Sequence, residues 1–416
     1  MSPLLALLLG AVLCPHILGH PTEPETVTPE DSHNNTLPDI HTLASSNTNF
    51  AFSLYKLLAA QKPENNVIFS PFSISVALAL LALGARGNTQ TETLQGLKFN
   101  LTQISEAEIQ QGFQLLLSRL SRPGTDLQLN ISTAVFVDQQ FHLLKSFREE
   151  AQTLYTADAL PTDFQDPLTA EKFINDYVEQ KTKGKIKELV KDLESGTKIV
   201  LVNCLFFKAK WKTPFDPHKT FTGDFHVNKI RVEKVPMMMV EDVSVLHFRD
   251  EMLGSNVVQL PYSDNRAYAL LVLPDQGRMA ELEGALHPCT FQHWKDSMMS
   301  RKITLYLPKF SISGDYDLDK VLPMLGISEV FSKDADLSGI TGEQNLHVSQ
   351  VVHKAVLDVA EEGTEAAAAT GINMMNKSLI RNSIVVDFNK PFLIIIISED
   401  TQDILFLGKL ANPITA

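Results

Sequence analysis

The sequence predicts an α+β protein, a single large domain with several antiparallel sheets and eight or nine helices. Three observations support this fold class. Alternating or wholly apolar stretches rich in Val, Ile and Leu recur along the chain and are typical of strands. Stretches with apolar residues three and four apart are typical of amphipathic helices. No Pro/Gly/Ser-rich linker and no internal repeat interrupts residues 49–413, so we expect one domain although 416 residues would allow more.

The first 46 residues are predicted to lie outside that domain. Residues 1–19 have a Leu-rich centre too short to span a bilayer and end in a small residue, which is typical of a signal peptide removed before His20. Residues 20–46 are acidic and contain four prolines, which indicates a disordered tail. The folded domain is then expected over 47–416, in a protein secreted to the extracellular space.

Periodicity predicts the elements of the domain. Phe50, Leu54, Leu57 and Leu58 share one helical face, whereas 74–83 is a helix that is apolar nearly all round and therefore belongs in a core. Further helices are predicted over 105–120 and 168–183, and strands over 67–69, 127–137, 199–207, 257–260, 267–273, 303–310, 353–359, 384–388 and 392–397.

Composition argues against several kinds of partner. The net charge of −13 argues against nucleic-acid binding and against anionic membranes. The apolar run 392–397 is too short to span a membrane and suits a central strand. The densest basic run is interpreted as a solvated face rather than a glycosaminoglycan site; it comprises Lys181, Lys183, Lys185, Lys187 and Lys191.

Cysteines and glycosylation sequons fit an exported protein without a disulfide framework. Cys14 leaves with the signal peptide, and a domain of this size buries enough surface to fold without disulfides. Cys204 lies in an apolar strand, so we interpret it as a small buried hydrophobe that is not paired with Cys289. Four N-x-S/T sequons are candidate glycosylation sites, at Asn34, Asn100, Asn130 and Asn376.

We find no signature of an enzyme. The chain contains no G-x-S-x-G, H-E-x-x-H, C-x-x-C, G-x-G-x-x-G or Walker motif, and its histidines have no metal-ligand spacing. Ser70, Ser73, Asn203 and His353 are polar residues in apolar stretches, from which a nucleophile and base could be imagined. A buried, mutually hydrogen-bonded cluster is the favoured interpretation. We therefore expect no catalytic activity, no cofactor and no metal.

The segment EEGTEAAAATG, residues 361–371, is unusual because it has no large apolar group to anchor it to a core. One interpretation is a loop or a short helix that Thr364 caps and Gly371 ends. The other is a strand that is not yet part of a sheet. Under period-two alternation its inward residues, Thr364, Ala366, Ala368 and Thr370, are all small, while Glu365, Ala367 and Ala369 would face outward.

Several long motifs resemble the serpins, a family of serine protease inhibitors, and place the chain in its secreted antitrypsin-like branch. They are EEGTEAAAAT with VVHKAVLDV before it and DFNKPFLIII after it, and NVIFSPFSIS, INDYVEQKTKGKI and VLVNCLFFKAKWKTPFDP farther off. The resemblance covers 49–413 and implies the serpin fold: three β-sheets, eight or nine helices and an exposed reactive-centre loop at one pole. It implies a monomer whose partner is a serine protease.

The resemblance also implies roles for residues. Ser70, Ser73, Asn203 and His353 would form the shutter beneath the main sheet, where strands part. Trp211 would lie at the breach, the top of that sheet, together with an ion pair between Lys309 and Glu361. The hinge of the loop would comprise Glu361, Glu362, Gly363, Thr364, Glu365, Ala366, Ala367, Ala368, Ala369 and Thr370.

In inhibitory serpins the scissile bond follows the seventeenth residue counted from the hinge Glu, so the resemblance implies a reactive bond at Lys377-Ser378. Lys377 implies a trypsin-like target because the trypsin pocket presents a carboxylate to a cation. The register remains open, since cleavage after Met374 or Met375 would suit chymotrypsin-like or elastase-like enzymes and Arg381 is a second basic candidate. The implied activity is covalent trapping of the protease as an acyl-enzyme. The alternative is a non-inhibitory serpin that carries a small hydrophobic ligand or is merely cleaved; bulky or charged inward hinge residues would favour it.

Overall fold

The computed structural model describes residues 40–122, 127–344, 346–364 and 383–414. Local sequence explains where several helices begin. Ser70 accepts a hydrogen bond from the Ser73 N–H and is followed by Pro71, a combination that favours a helix start. Ser105 and Glu108 form a capping box. The helices are α1 Ile40–Gln61, α2 Pro71–Gly84, α3 Gly87–Gly96, α4 Glu106–Leu120, α5 Lys145–Tyr155, α6 Pro167–Lys181, α7 Met279–Ala285, α8 Pro288–Ser297 and α9 Ser338–Thr341.

The predicted boundary of the disordered tail at residue 46 is wrong. Helix α1 begins at Ile40, and Leu43 and Ala44 are buried. Leu43 lies close to Gly112 of α4, where an added Cβ would meet the leucine side chain at 2.3 Å. The apolar face of α1 therefore starts about two turns earlier than the run from Phe50 indicates. The rest of the predicted tail, the signal peptide and Asn34 lie outside the described residues.

The strands form two hydrogen-bonded sheets. They are β1 Val67–Phe69, β2 Leu127–Asp138, β3 Asp158–Thr162, β4 Ile199–Lys210, β5 Phe221–His226, β6 Val232–Asp250, β7 Ser255–Pro261, β8 Ala267–Pro274, β9 Met299–Pro308, β10 Phe310–Asp317, β11 Gln350–Val359, β12 Gly363–Thr364, β13 Ile384–Asp387, β14 Phe392–Ser398 and β15 Ile404–Leu410. One sheet has the order β1-β15-β14-β8-β7-β6-β9-β13, with β5 paired to β6. The other has the order β10-β11-β12-β4-β2-β3.

The family resemblance implies three sheets, whereas the described strands form two, and the long strand β6 lies in the larger one. It pairs with β9 along most of its length, and the register shifts between Val240 and Val243. Strands β14 and β15 are buried throughout, as the apolar run 392–397 predicts. The larger of two apolar clusters in the core contains side chains from both sheets and from α1, α2 and α4. A second, smaller cluster lies between α6 and the six-stranded sheet and contains Cys204. The α+β prediction is confirmed.

The six-stranded sheet contains a seam that positions the candidate site. Residues Gln350–Ala355 of β11 pair directly with Val200–Leu205 of β4, and this ladder is parallel. Above it the two strands separate, and the two residues of β12 lie between them, antiparallel to both. We call the contact between β11 and β4 the seam.

In the described part of the chain, no helix is long and apolar enough to cross a membrane. The same residues contain no group of three His, Cys, Asp or Glu side chains that could hold a metal ion.

Candidate functional site

Four of the predicted site residues meet at the seam. His353 of β11 and Asn203 of β4 lie opposite each other in the parallel ladder, and Ser70 and Ser73 lie at the start of α2. The Ser70 backbone N–H donates to His353 Nε2 at 3.0 Å. That nitrogen is therefore the acceptor, so the proton lies on Nδ1, which donates to Asn203 Oδ1 at 2.9 Å. All four are almost completely buried, and we call them the seam cluster.

Asn203 is the hub of the seam cluster. Its Oδ1 also accepts from Ser73 Oγ at 2.6 Å, while its Nδ2 donates to the Ser73 carbonyl at 2.8 Å and to Thr133 Oγ1 on β2 at 3.1 Å. The amide thus connects β2, β4, β11 and α2. Thr133 was missed at the sequence level because a Thr in a strand gives no sign of its partner.

The seam cluster joins two strands and does not form a nucleophile and base pair. Ser73 Oγ bonds to Asn203 and to the Ser70 carbonyl, whereas Ser70 Oγ accepts from the Ser73 N–H. Burial lowers the pKa of His353 to about 3, against a smaller upward effect of its hydrogen bond to Asn203. The imidazole is therefore neutral at physiological pH and makes the only side-chain hydrogen bond among these residues that crosses directly from β11 to β4.

Trp211 organises the top of the seam. Its indole Nε1 donates to the Ala360 carbonyl at 3.0 Å, and its backbone N–H donates to the Glu362 carbonyl at 2.8 Å. The indole stacks on Tyr262, with ring centroids 4.6 Å apart and planes 9° apart. Tyr262 Oη in turn forms a 2.9 Å hydrogen bond with Thr364 Oγ1. Tyr262 therefore connects the stacked pair to β12, and nothing in its sequence context predicted that contact.

Glu361 anchors the turn that leads from β11 into β12. Its carboxylate accepts from Lys309 Nζ at 2.9 Å and from Thr220 Oγ1 at 3.0 Å. The Glu361 side chain is 11% exposed and that of Lys309 is 45% exposed. Burial alone would raise the pKa of Glu361, but the hydrogen bonds from Lys309 and Thr220 and the lysine charge lower it overall. The predicted ion pair is thus present in the structure, with Thr220 as an additional donor.

Gly363 lies where a side chain has no room. A Cβ there would be 2.0 Å from the carbonyl oxygen of Ala209 and 2.6 Å from Lys210 Cα, both of them backbone atoms of β4. The φ angle of +155° is also one that L residues rarely adopt. Glycine therefore lets the chain enter the sheet beside β4. The next residue, Thr364, is buried and lies opposite Val359 and Ala209.

A pocket lies below β12, between the separated upper halves of β4 and β11. Its volume is about 330 Å³, which includes space open to solvent. The segment that joins α6 to β4 covers it, and Asn175 holds that segment with bonds to the Leu189 and Val190 N–H groups and to the Val190 carbonyl. Lys354 of β11 also donates to the Glu188 carbonyl at 2.9 Å. The lining residues are Thr182, Lys185, Ile186, Leu205, Phe207, Val356 and Asp358.

The remaining predicted residues are not part of this site. Asn100 and Asn130 are exposed, and Asn100 Oδ1 accepts from its own sequon residue Thr102. Cys204 is a buried free thiol, so it does not pair with Cys289, and burial raises its pKa to about 12. The predicted reactive bond with its alternatives, the later hinge and the fourth sequon lie outside the described residues: Glu365, Ala366, Ala367, Ala368, Ala369, Thr370, Met374, Met375, Asn376, Lys377, Ser378 and Arg381.

Part of the basic run is paired with acidic neighbours. Lys181 lies 3.0 Å from Asp158 of β3, and Lys191 lies 3.6 Å from Glu188. These pairs reduce the positive charge that a polyanion would meet, in keeping with the interpretation as a solvated face.

The sequence model of the serpin family, described as serine protease inhibitor, matches residues 45–413. This chain belongs to the serpin family. Serpin A3-8 from Bos taurus is 55% identical over 99% of this chain and 98% of its own length. Alpha-1-antichymotrypsin from Homo sapiens is 53% identical over 99% of both chains. Tracts such as LKFNLT and DLSGITG predict an antichymotrypsin-like relative, and this prediction is confirmed.

Solved serpin structures share the fold. Human thyroxine-binding globulin complexed with thyroxine has a TM-score of 0.86 and 39% identity, and the match covers 91% of this chain and 100% of that one. The predicted serpin fold is therefore confirmed from sequence and from structure.

Proposed function

We propose that this serpin is a secreted inhibitor that traps a serine protease as a covalent acyl-enzyme when its cleaved loop enters the six-stranded sheet. One observation carries the proposal. Gly363 and Thr364 already lie between β11 and β4, antiparallel to both, at the upper end of a seam where those strands otherwise pair directly. The sheet thus holds the first two residues of an additional strand.

The geometry of the seam supports a large gain in stability on insertion. The existing ladder between β11 and β4 is parallel and has six residue pairs, whereas an inserted strand would form two antiparallel ladders. Insertion of Thr364 to Lys377, 14 residues, spans roughly 46 Å at about 3.3 Å per residue. Ten or more added bonds at about 1 kcal/mol each are comparable with the 5–15 kcal/mol that stabilises an ordinary domain. The intact protein is then metastable.

The chemistry takes place in the protease. Its catalytic serine oxygen attacks the carbonyl carbon of Lys377, and the bond to Ser378 breaks while the protease histidine protonates the departing amine. An ester then joins Lys377 to the protease. Hydrolysis of that ester would release the protease, so the hinge must insert first and carry the tethered enzyme away. The serpin contributes no catalytic residue, cofactor or metal; it contributes a loop and a sheet that accepts it.

The residues of the candidate site take separate roles in this proposal. The seam cluster acts as the shutter, because insertion must separate His353 from Asn203. Trp211 and the Lys309–Glu361 pair act as the breach, because they hold the entry point above β12. Residues 361–370 act as the hinge, with Gly363 giving the chain access beside β4.

The proposed target is a trypsin-like protease. The name of the human relative indicates action against chymotrypsin, whereas Lys377 in this chain offers a cation to the primary pocket. Asn376-Lys377-Ser378 is also a sequon, and a glycan at Asn376 would obstruct docking. The N-terminal sequence of the fragment released on cleavage distinguishes Lys377 from the alternative cleavage sites after Met375 and Arg381.

The test is to mix the protein with trypsin-like, chymotrypsin-like and elastase-like enzymes and to separate the products under denaturing conditions. We expect a band of summed mass with the trypsin-like enzyme and a released fragment that begins at Ser378. A matched pair of variants isolates insertion: Thr370→Arg places a charge at an inward position, while Ala369→Arg places it outward. Thr370→Arg should be cleaved without forming a complex, and Ala369→Arg should still form one. Cleavage of the wild type without any complex would refute inhibition.

A carrier function is the second candidate, and the likeness to thyroxine-binding globulin favours it. The same electrophoresis separates the two, because a carrier would be cleaved and released. Equilibrium dialysis with thyroxine gives the direct measurement, and saturable binding that ends on loop cleavage would support this alternative.

A further inference from the structure

A buried carboxylate lies far from the seam, at the turn that joins β14 to β15. Asp403 has no exposed surface, and its Oδ1 accepts from Asn47 Nδ2 of α1 at 2.9 Å. Within the described residues, Asp403 Oδ2 and Asn47 Oδ1 are both buried without a hydrogen-bond partner. In each side chain the unpartnered oxygen shares a carbon with the atom that makes the 2.9 Å hydrogen bond. The two polar atoms of each side chain therefore lie about 2.2 Å apart.

Two buried acceptors without hydrogen-bond partners, both at the contact between α1 and the turn, are unfavourable when neither is hydrated and one of them is charged. A buried polar atom without a partner costs about 1–3 kcal/mol, and more when the group is ionised. Two acceptors cannot satisfy each other, since neither has a hydrogen to donate. A single proton on Asp403 Oδ2 would convert that atom into a donor for Asn47 Oδ1. The carboxylic acid and the amide would then be joined by two reciprocal hydrogen bonds.

We infer that Asp403 and Asn47 form a proton-dependent clamp that fastens α1 to the turn between β14 and β15. The clamp has two hydrogen bonds when Asp403 is protonated and one when it is ionised. Because α1 covers the core and β14 and β15 are buried throughout, the clamp acts on the stability of the whole domain.

The surroundings of Asp403 do not supply a compensating cation. Burial raises its pKa to about 6, against the lowering effect of the Asn47 amide and of the Thr401 hydroxyl, whose Oγ1 accepts from the Asp403 backbone N–H at 3.4 Å. The nearby charged side chains have other contacts or face solvent. Lys295 of α8 donates to Gln402, Arg266 before β8 donates to the Leu120 and Arg122 carbonyls, and Glu399 and Asp400 of the turn are exposed.

The direction of the pH effect follows from the raised pKa. The folded protein binds the proton more tightly than the unfolded chain, whose Asp pKa is 3.8. The clamp therefore stabilises the fold fully at acidic pH, and the stabilisation is lost as the pH rises through about 6. Between pH 5 and pH 7.5 the Asp403 contribution to the folding equilibrium constant falls by about tenfold.

The experiment compares the full-length wild type with Asp403→Asn, whose amide keeps the shape and donates at every pH, and with Asp400→Asn, which removes an exposed carboxylate of the same turn. Infrared difference spectra between pH 5 and pH 7.5 should contain a protonated carboxyl band in the wild type and in Asp400→Asn. That band should be absent from Asp403→Asn. In urea unfolding, the tenfold change in the folding equilibrium constant between pH 5 and pH 7.5 should also be absent from Asp403→Asn.

A water bridging the two oxygens would leave Asp403 ionised, so a wild-type spectrum without the acid band would overturn the inference. An unchanged band in Asp403→Asn would do the same. Should that variant fail to fold, Asn47→Ala serves instead: it removes two hydrogen bonds from the acid form of Asp403 but only one from the ionised form, so the titration midpoint should move downward, and a midpoint that stays unmoved or moves upward would reject the clamp. The titration should be equal in intact and loop-cleaved protein, so its outcome is independent of protease inhibition.

Discussion

Lowering the pH from 7.5 to 5 should weaken the seam through His353. The folded imidazole has a pKa of about 3, while the unfolded value is 6.5. A depressed pKa gives stability that is complete above 6.5 and is lost as the pH falls, because only the unfolded chain binds the proton. At pH 5 the solution is 1.5 units below the unfolded value, and at about 1.4 kcal/mol per unit the loss is about 2 kcal/mol. Protonation also removes the Nε2 acceptor, so local separation of β11 from β4 at the seam should become more favourable by the same amount.

The assay is hydrogen–deuterium exchange of Gln350–Ala355, corrected for intrinsic rates, together with the urea midpoint at both pH values. His353→Gln is the comparison, since its amide still offers the Ser70 N–H an acceptor and does not titrate. The variant should be less stable at pH 7.5 but should lack the acid-dependent loss. Asp403 shifts stability in the opposite direction, so the quantity to use is the difference between wild type and variant. An equal pH slope in both proteins would refute the role of His353.

Three further predictions concern the top of the seam. Glu361→Lys places a like charge opposite Lys309, which is partly exposed and therefore screened, so we expect a loss of about 1–2 kcal/mol of folding stability. We also expect the variant to polymerise on mild heating, which native electrophoresis would detect as a ladder of bands. A variant that stays monomeric would contradict this prediction. Gly363→Ala should displace β12 and convert an inhibitor into a substrate, measured as a rise in the stoichiometry of inhibition, and an unchanged stoichiometry would disprove the steric argument. Tyr262→Phe removes the bond to Thr364, so the β12 amides should exchange about fivefold faster, as expected for about 1 kcal/mol, and unaltered protection would rule out an anchoring role.

The sequence predicted the strands well because long apolar runs such as 392–397 allow few alternatives. It also indicated that Ser70, Asn203 and His353 are buried and hydrogen-bonded, because isolated polar residues in apolar stretches need partners. It could not place His353 opposite Asn203, since strand register is set by tertiary pairing. Helix α3, GNTQTETLQG, was missed because only Thr89, Thr93, Leu94 and Gly96 are buried and the stretch has almost no apolar period.

Contacts that depend on side chains from distant elements gave no signal in the sequence. Tyr262 follows the end of β7, Thr220 lies just before β5 and Thr133 lies within β2, and periodicity cannot position any of them relative to the seam. The start of α1 was misplaced for a related reason. Ser and Asn dominate the residues around Leu43, so its burial against α4 is visible only once the two helices pack.

The pairing of β12 fixes the destination of residues that follow it. Thr364 lies opposite Val359 on one side and Ala209 on the other. Six residues farther along an antiparallel strand correspond to six residues back on each neighbour, so a fully seated loop would bring Thr370 level with both His353 and Asn203. The even spacing also keeps all three on one face. We therefore expect the threonine hydroxyl to replace the hydrogen bond that its own arrival breaks, so that neither the imidazole nor the amide is stranded in the interior of the expanded sheet.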